Sequence, residues 1–98
     1  MKDLKELQKE VHRTAMDHGF WTNSCNIGEK IALIHSEISE TLEAYRQSQP
    51  LSSVAEELAD TVIRILDLAE YLGIDIQSAI EKKHKINKNR PFLHGKRF

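Results

Sequence analysis

At 98 residues, 40% of them hydrophobic and 30% charged, the chain has the length and balance of one globular domain with a modest core, not of a disordered or fibrous protein. A formal net charge of −1 gives no overall-charge argument for nucleic acid. Cys25 is the single cysteine, which excludes an intramolecular disulfide and suits a reducing cytoplasm.

The opening stretch MKDLKELQKE lacks the apolar centre of a signal peptide, and no run approaches the ~20 apolar residues of a membrane span. The expectation is a soluble cytoplasmic protein with one helical domain over residues 1–98. Charge is unevenly spread along it. Residues 29–81 carry eleven acidic and three basic side chains, whereas the tail 82–98 carries seven Lys or Arg and no acid. Such a division suits a ligand that brings both metal ions and phosphates, and it equally suits a solvated helix face with a basic end.

Four helices are predicted in chain order, and no strand. Leu4, Leu7, Val11 and Ala15 recur at three or four residues and define a first helix from about Asp3 to His18, closed by Gly19. Phe20 and Trp21 fall in the following link, where core packing is the default and stacking on a base an alternative. Cys25, with no motif to activate it, reads as a half-buried small apolar residue. Asn26 caps a second helix that carries Ile27, Ile31, Ile34, Ile38, Leu42 and Tyr45 on one stripe and stops before Pro50. Leu33 and Ala44 lie well round from that stripe, on the side of Glu37 and Glu40. A helix with two apolar sides is covered on both, and the second cover is expected from another subunit.

Ser53 with Glu56 three residues on predicts the start of a third helix, with Val54, Leu58, Val62, Ile65, Ala69 and Leu72 inward and Gly73 at its end. Asp75 caps a fourth helix through Ile76, Ala79, Ile80 and Ile86 that fails before Pro91. The short link between the last two favours antiparallel neighbours, so the fold class is all-α, a four-helix bundle.

The residues with chemical promise are acids. Glu37 with Glu40, and Glu57 with Asp60, are each three apart, so each pair projects from one helix face. On antiparallel helices the pairs can face one another across a groove, where four like charges call for a cation. Magnesium, with its preference for oxygen ligands and retained waters, suits such a cluster and leaves positions for phosphates. Acids three apart are also common on wet helix faces, and Arg64, four residues after Asp60, suits a plain surface ion pair with it. There is no Gly-rich phosphate loop, zinc helix or paired-cysteine motif, and the five histidines are scattered.

The order ExxE (Glu37 to Glu40), a spacer, then ExxD (Glu57 to Asp60), set in GEKIALIHSEISETLEAYR and VAEELADTVIRILDLAEYLGID, resembles the MazG-like all-α nucleoside triphosphate pyrophosphohydrolases. The tail KKHKINKNRPFLHGKRF is similar to the closing segment of that family, and the resemblance runs from about His12 to the C-terminus. It implies cleavage of a nucleoside triphosphate to the monophosphate and pyrophosphate, for nucleotide-pool house-cleaning, by a homodimer or homotetramer. It further implies magnesium held by Glu37, Glu40, Glu57 and Asp60, with Lys83, Asn87 and Arg90 toward phosphate or sugar.

Against the dCTP pyrophosphatase-like branch, His12 and Trp21 fall at base-pocket positions. Arg64 and Gln47, however, stand where that branch has aromatic residues, so its cytosine preference is not carried over. Two rivals stay open. One is a phosphoribosyl-ATP pyrophosphohydrolase of the same fold. The other is a non-enzymatic helical module, an antitoxin or adaptor, using the basic tail.

Overall fold

Three of the four helices begin where a side chain satisfies their first free backbone N–H groups. Asp3 accepts from the Glu6 amide at 2.8 Å, Asn26 from that of Glu29 at 3.1 Å, and Asp75 from that of Ser78 at 3.1 Å. A computed structural model describes residues 3–22 and 26–98, so the expectation for Cys25 lies outside the described residues. The helices are α1 (Leu4–Asp17), α2 (Ile27–Arg46), α3 (Leu51–Tyr71) and α4 (Ile76–Lys88), followed by a short 3-10 turn at Phe92–Gly95. No strand occurs among the described residues, and no helix among them is long and apolar enough to cross a membrane.

The third helix starts earlier than its capping motif predicts. Ser53 lies inside it, and the carbonyl of Pro50 accepts from both Ser53 (2.9 Å) and Val54 (3.3 Å). Pro50 sits at the cap with φ −55°, a value its ring imposes at no cost, and it has no N–H to leave unpaired. At the other end Gly73, with φ +72°, lets the Ile74 amide bond back to Ala69 at 2.9 Å.

Contacts between helices give the packing direction. Glu40 sits by Glu57 and Glu37 by Arg64, so α2 and α3 run antiparallel. Gln8 bonds Glu70 and His12 bonds Asp67, so α1 also runs antiparallel to α3. The third helix is therefore the centre, flanked by the first two. Gln8 is only 3% exposed and ties in the fourth: its Nε2 donates to Glu70 and to the Ile74 carbonyl (2.7 Å), and its Oε1 accepts from the Ile76 amide.

The inward face matches the predicted one at Ala69 of α3 but departs from it over most of α2 and at Leu58 and Val62. Ala44, Leu66 and Ala69 are buried with Thr61, while Ile31, Ile38, Leu42 and Tyr45 of the isoleucine stripe are 48–69% exposed. Leu58 and Val62 of α3 are likewise about half exposed, at 49% each. The buried positions thus combine small residues with Leu66, and much of the bulky stripe turns outward. For α2 the assignment is thus reversed: the Leu33 and Ala44 side is covered within the chain, and most of the isoleucine side is exposed.

Candidate metal centre and adjoining cavity

Glu37 and Glu40 project from successive turns of α2 toward Glu57 of α3, and one carboxylate oxygen from each lies within 4.8 Å of the other two. Thr41 and Thr61 sit one turn after Glu37 and Glu57 and donate back to their carbonyls, at 3.0 and 2.9 Å. Each hydroxyl is satisfied by its own helix, so the inner face carries polar side chains that do not compete for the acids.

Glu57 Oε2 is buried with no hydrogen-bond partner among the described residues. A buried carboxylate oxygen normally finds a donor, and an orphan suits a missing ligand. Glu40 holds its proton to higher pH than an ordinary carboxyl, chiefly because it hydrogen-bonds Glu37 and faces the Glu37 charge, then through lost solvation and Glu57. The cluster is short of positive charge.

Asp60, the fourth acid of the motif, is exposed and does not join this trio; it stands on the wall of the adjoining cavity. Arg64 does not make the expected pair with Asp60 its bridge. Its Nε donates across to Glu37 Oε1 of α2 at 2.9 Å, with the Glu37 side chain 12% exposed.

The cavity, about 370 Å³, is lined by Glu37, Asp60 and Arg64 together with Phe20, Trp21 and Lys30. Its lining also includes apolar residues, among them Val11, Ile63 and Leu68. Trp21 is held from several directions. It stacks on Tyr71 with centroids 4.3 Å apart, donates Nε1–H to both oxygens of Asp67 (2.9 and 3.1 Å), and has Lys30 Nζ 4.4 Å from its ring centroid. Lys30 also donates to the Phe20 carbonyl at 2.6 Å.

His12 donates from Nδ1 to Asp67 at 2.6 Å, since an ionised carboxylate can only accept, and meets Trp21 edge-on at 5.5 Å. It stands behind Trp21 and is not part of the cavity wall. Sequence reading missed Asp67, Tyr71 and Lys30 because they lie far along the chain from, or a helix away from, the residues they hold. An acid and an aromatic four apart on α3 (Asp67, Tyr71) were the available signal.

The three tail residues do not gather at this cavity. Lys83 and Arg90 are exposed, and Asn87 is half-buried with its Oδ1 lacking a partner among the described residues. The basic groups on the cavity wall are Lys30, Arg64 and His18.

The donor set fits a hard divalent cation. All three candidate ligands are carboxylate oxygens, within 4.8 Å of one another, the donor type that magnesium prefers. Three acids, one with an orphaned oxygen, beside a cavity lined in part by Phe20 and Trp21 form a site able to hold a cation next to a ligand with an apolar, ring-like part.

Comparison with known proteins agrees in kind. The chain is similar to a dATP/dGTP diphosphohydrolase of Cyanophage S-2L, with 41% identity over 68 residues, which are 69% of this chain and 60% of that protein. The match thus spans less than two thirds of the relative's length. No protein-family model and no solved structure matches the chain.

Proposed function

We propose that the chain is a magnesium-dependent nucleoside triphosphate pyrophosphohydrolase that releases the nucleoside monophosphate and pyrophosphate. The observation that carries this reading is the convergence of Glu37, Glu40 and Glu57, with the unpartnered Glu57 oxygen, together with the cavity that Glu37 lines alongside Phe20 and Trp21. The similarity to a dATP/dGTP diphosphohydrolase supports it and favours purine deoxynucleotides as first substrates to test.

In this reading Glu37, Glu40 and Glu57 hold the cation. A bound magnesium ion would neutralise phosphoryl oxygens and acidify a water. Asp60, on the wall outside the trio, would orient the attacking water and accept its proton as the water adds to phosphorus and pyrophosphate leaves. The apolar lining and Trp21 receive the base, with His12 fixing Trp21 through Asp67. The outward isoleucine stripe is the face on which a second copy packs, as a homodimer or as half of a homotetramer, since exposed apolar area of this kind marks an interface. Lys83, Asn87 and Arg90 then serve phosphate or sugar in the assembled protein. The setting is cytoplasmic and the role nucleotide-pool house-cleaning.

A panel of ribo- and deoxyribonucleoside triphosphates, with magnesium or with a chelator, tests this. Magnesium-dependent pyrophosphate supports the reading, and the ranking names the base. Silence from a folded protein across the panel contradicts it and favours phosphoribosyl-ATP or a binding module.

A further inference from the structure

Arg64 is joined to the acidic trio in a way that a metal site would not by itself require. Its Nε bonds Glu37 Oε1 at 2.9 Å, and both side chains are largely withdrawn from solvent, Arg64 33% and Glu37 12% exposed. Three carboxylates meet a single guanidinium, so the trio has an acidic excess that a divalent cation would offset. The guanidinium and a cation would also compete for the same Glu37 carboxylate.

Arg64 is itself on the cavity wall, beside Asp60. The hydrogen bond to Glu37 uses Nε, so the terminal amino groups of the fork remain for another acceptor. A planar fork of this kind matches phosphate oxygens.

We propose that Arg64 is an exchangeable counter-ion: it holds Glu37 in the ligand-free protein, yields it to the divalent cation, and then turns its fork to the phosphates of the substrate. This rests on the metal-dependent nucleotide reading given above and adds a residue-specific role to it. Arg64 is then a binding residue with two effects of opposite sign. It weakens cation binding when no nucleotide is present, and it strengthens nucleotide binding once the cation is in place. A fixed positive charge would give both signs through electrostatics alone, so the contribution of the fork is read from Arg64→Lys, which keeps the charge.

The test is calorimetric and needs no turnover. Magnesium chloride is titrated into the nucleotide-free protein. A deoxynucleoside triphosphate analogue with a methylene bridge in place of the α–β oxygen is then titrated at saturating magnesium. In Arg64→Met, magnesium is expected to bind about threefold tighter or better, because a like charge has gone. The same variant should bind the analogue roughly tenfold more weakly, having lost a charge-assisted contact. Arg64→Lys keeps the charge and loses the fork, so it should leave magnesium affinity near that of the wild type and weaken the analogue to an intermediate degree.

Circular dichroism reports folding, and Arg64→Gln carries the same expectation if the methionine variant does not fold. Unchanged or weaker magnesium binding in a folded Arg64→Met or Arg64→Gln protein overturns the exchange while leaving the metal site standing. A wild type that takes up no magnesium overturns both readings together.

Discussion

Trp21 lies flat against Tyr71, with 10° between the ring planes, while its indole N–H is shared by both oxygens of Asp67. One carboxylate therefore fixes the link after α1 to the central helix, because the same group also takes the His12 proton donor. Asp67→Ala strands two half-buried donors and should cost about 2 kcal/mol of folding stability in urea denaturation. His18→Ala, which loses only a local bond to the Thr14 carbonyl, should stay within about 0.5 kcal/mol.

The acidic trio makes the opposite kind of prediction. Glu57→Gln and Glu40→Gln each remove a charge from a group of like charges, so both should unfold at a temperature equal to or above the wild type when a chelator is present. Added magnesium should raise the wild-type unfolding temperature and leave both variants nearly unmoved. A scan of unfolding temperature against magnesium concentration checks this.

The pH dependence follows from Glu40. Its carboxyl is raised in the fold above the ordinary value of 4.5, first by the hydrogen bond to Glu37. Between those two values the folded chain binds more protons than the unfolded chain, so stability falls as pH rises and levels off once Glu40 has ionised. In chelator the wild type should show this loss upward from the ordinary carboxyl range, and Glu40→Gln should lack it. Differential scanning measurements across acid to neutral pH read the difference directly.

Ser48 ends the second helix in the left-handed region, at φ +56°, where the Gln49 amide bonds back to Ala44. Glycine adopts this conformation without the Cβ clash. Ser48→Gly should therefore raise stability by about 0.5–1 kcal/mol with magnesium affinity unchanged.

The outward stripe can be tested apart from the site. Ile38→Glu should lower the solution mass of the protein toward that of one chain in light scattering, with helical content kept, if a second copy covers that face. An unchanged mass would separate the apolar stripe from assembly.

Much of the fold was legible because it rests on local rules. Asn26 and Asp75 cap their helices as their side chains dictate, and Gly73 ends α3 where a left-handed residue is needed. The inward face was not legible. Periodicity shows that α2 has two apolar sides but not which one the chain covers, and here Ala44 is buried while Ile31, Ile38 and Leu42 stay about half exposed. Of the four motif acids, spacing brought out the pairs but not the separation of Asp60 from the trio, which depends on how α3 is rotated against α2. Arg64 had an acid one turn away in sequence and meets one on the neighbouring helix instead, a contact that only packing creates.

The most direct test of the whole reading is hydrolysis of dATP or dGTP in ¹⁸O-labelled water with magnesium, with the products resolved by mass spectrometry. The expected result is monophosphate and pyrophosphate in equal amounts, with one labelled oxygen per turnover carried by one of the two products, and the activity lost with a chelator and in Glu57→Gln. Nucleoside diphosphate with orthophosphate, or turnover that persists in Glu57→Gln, would contradict it.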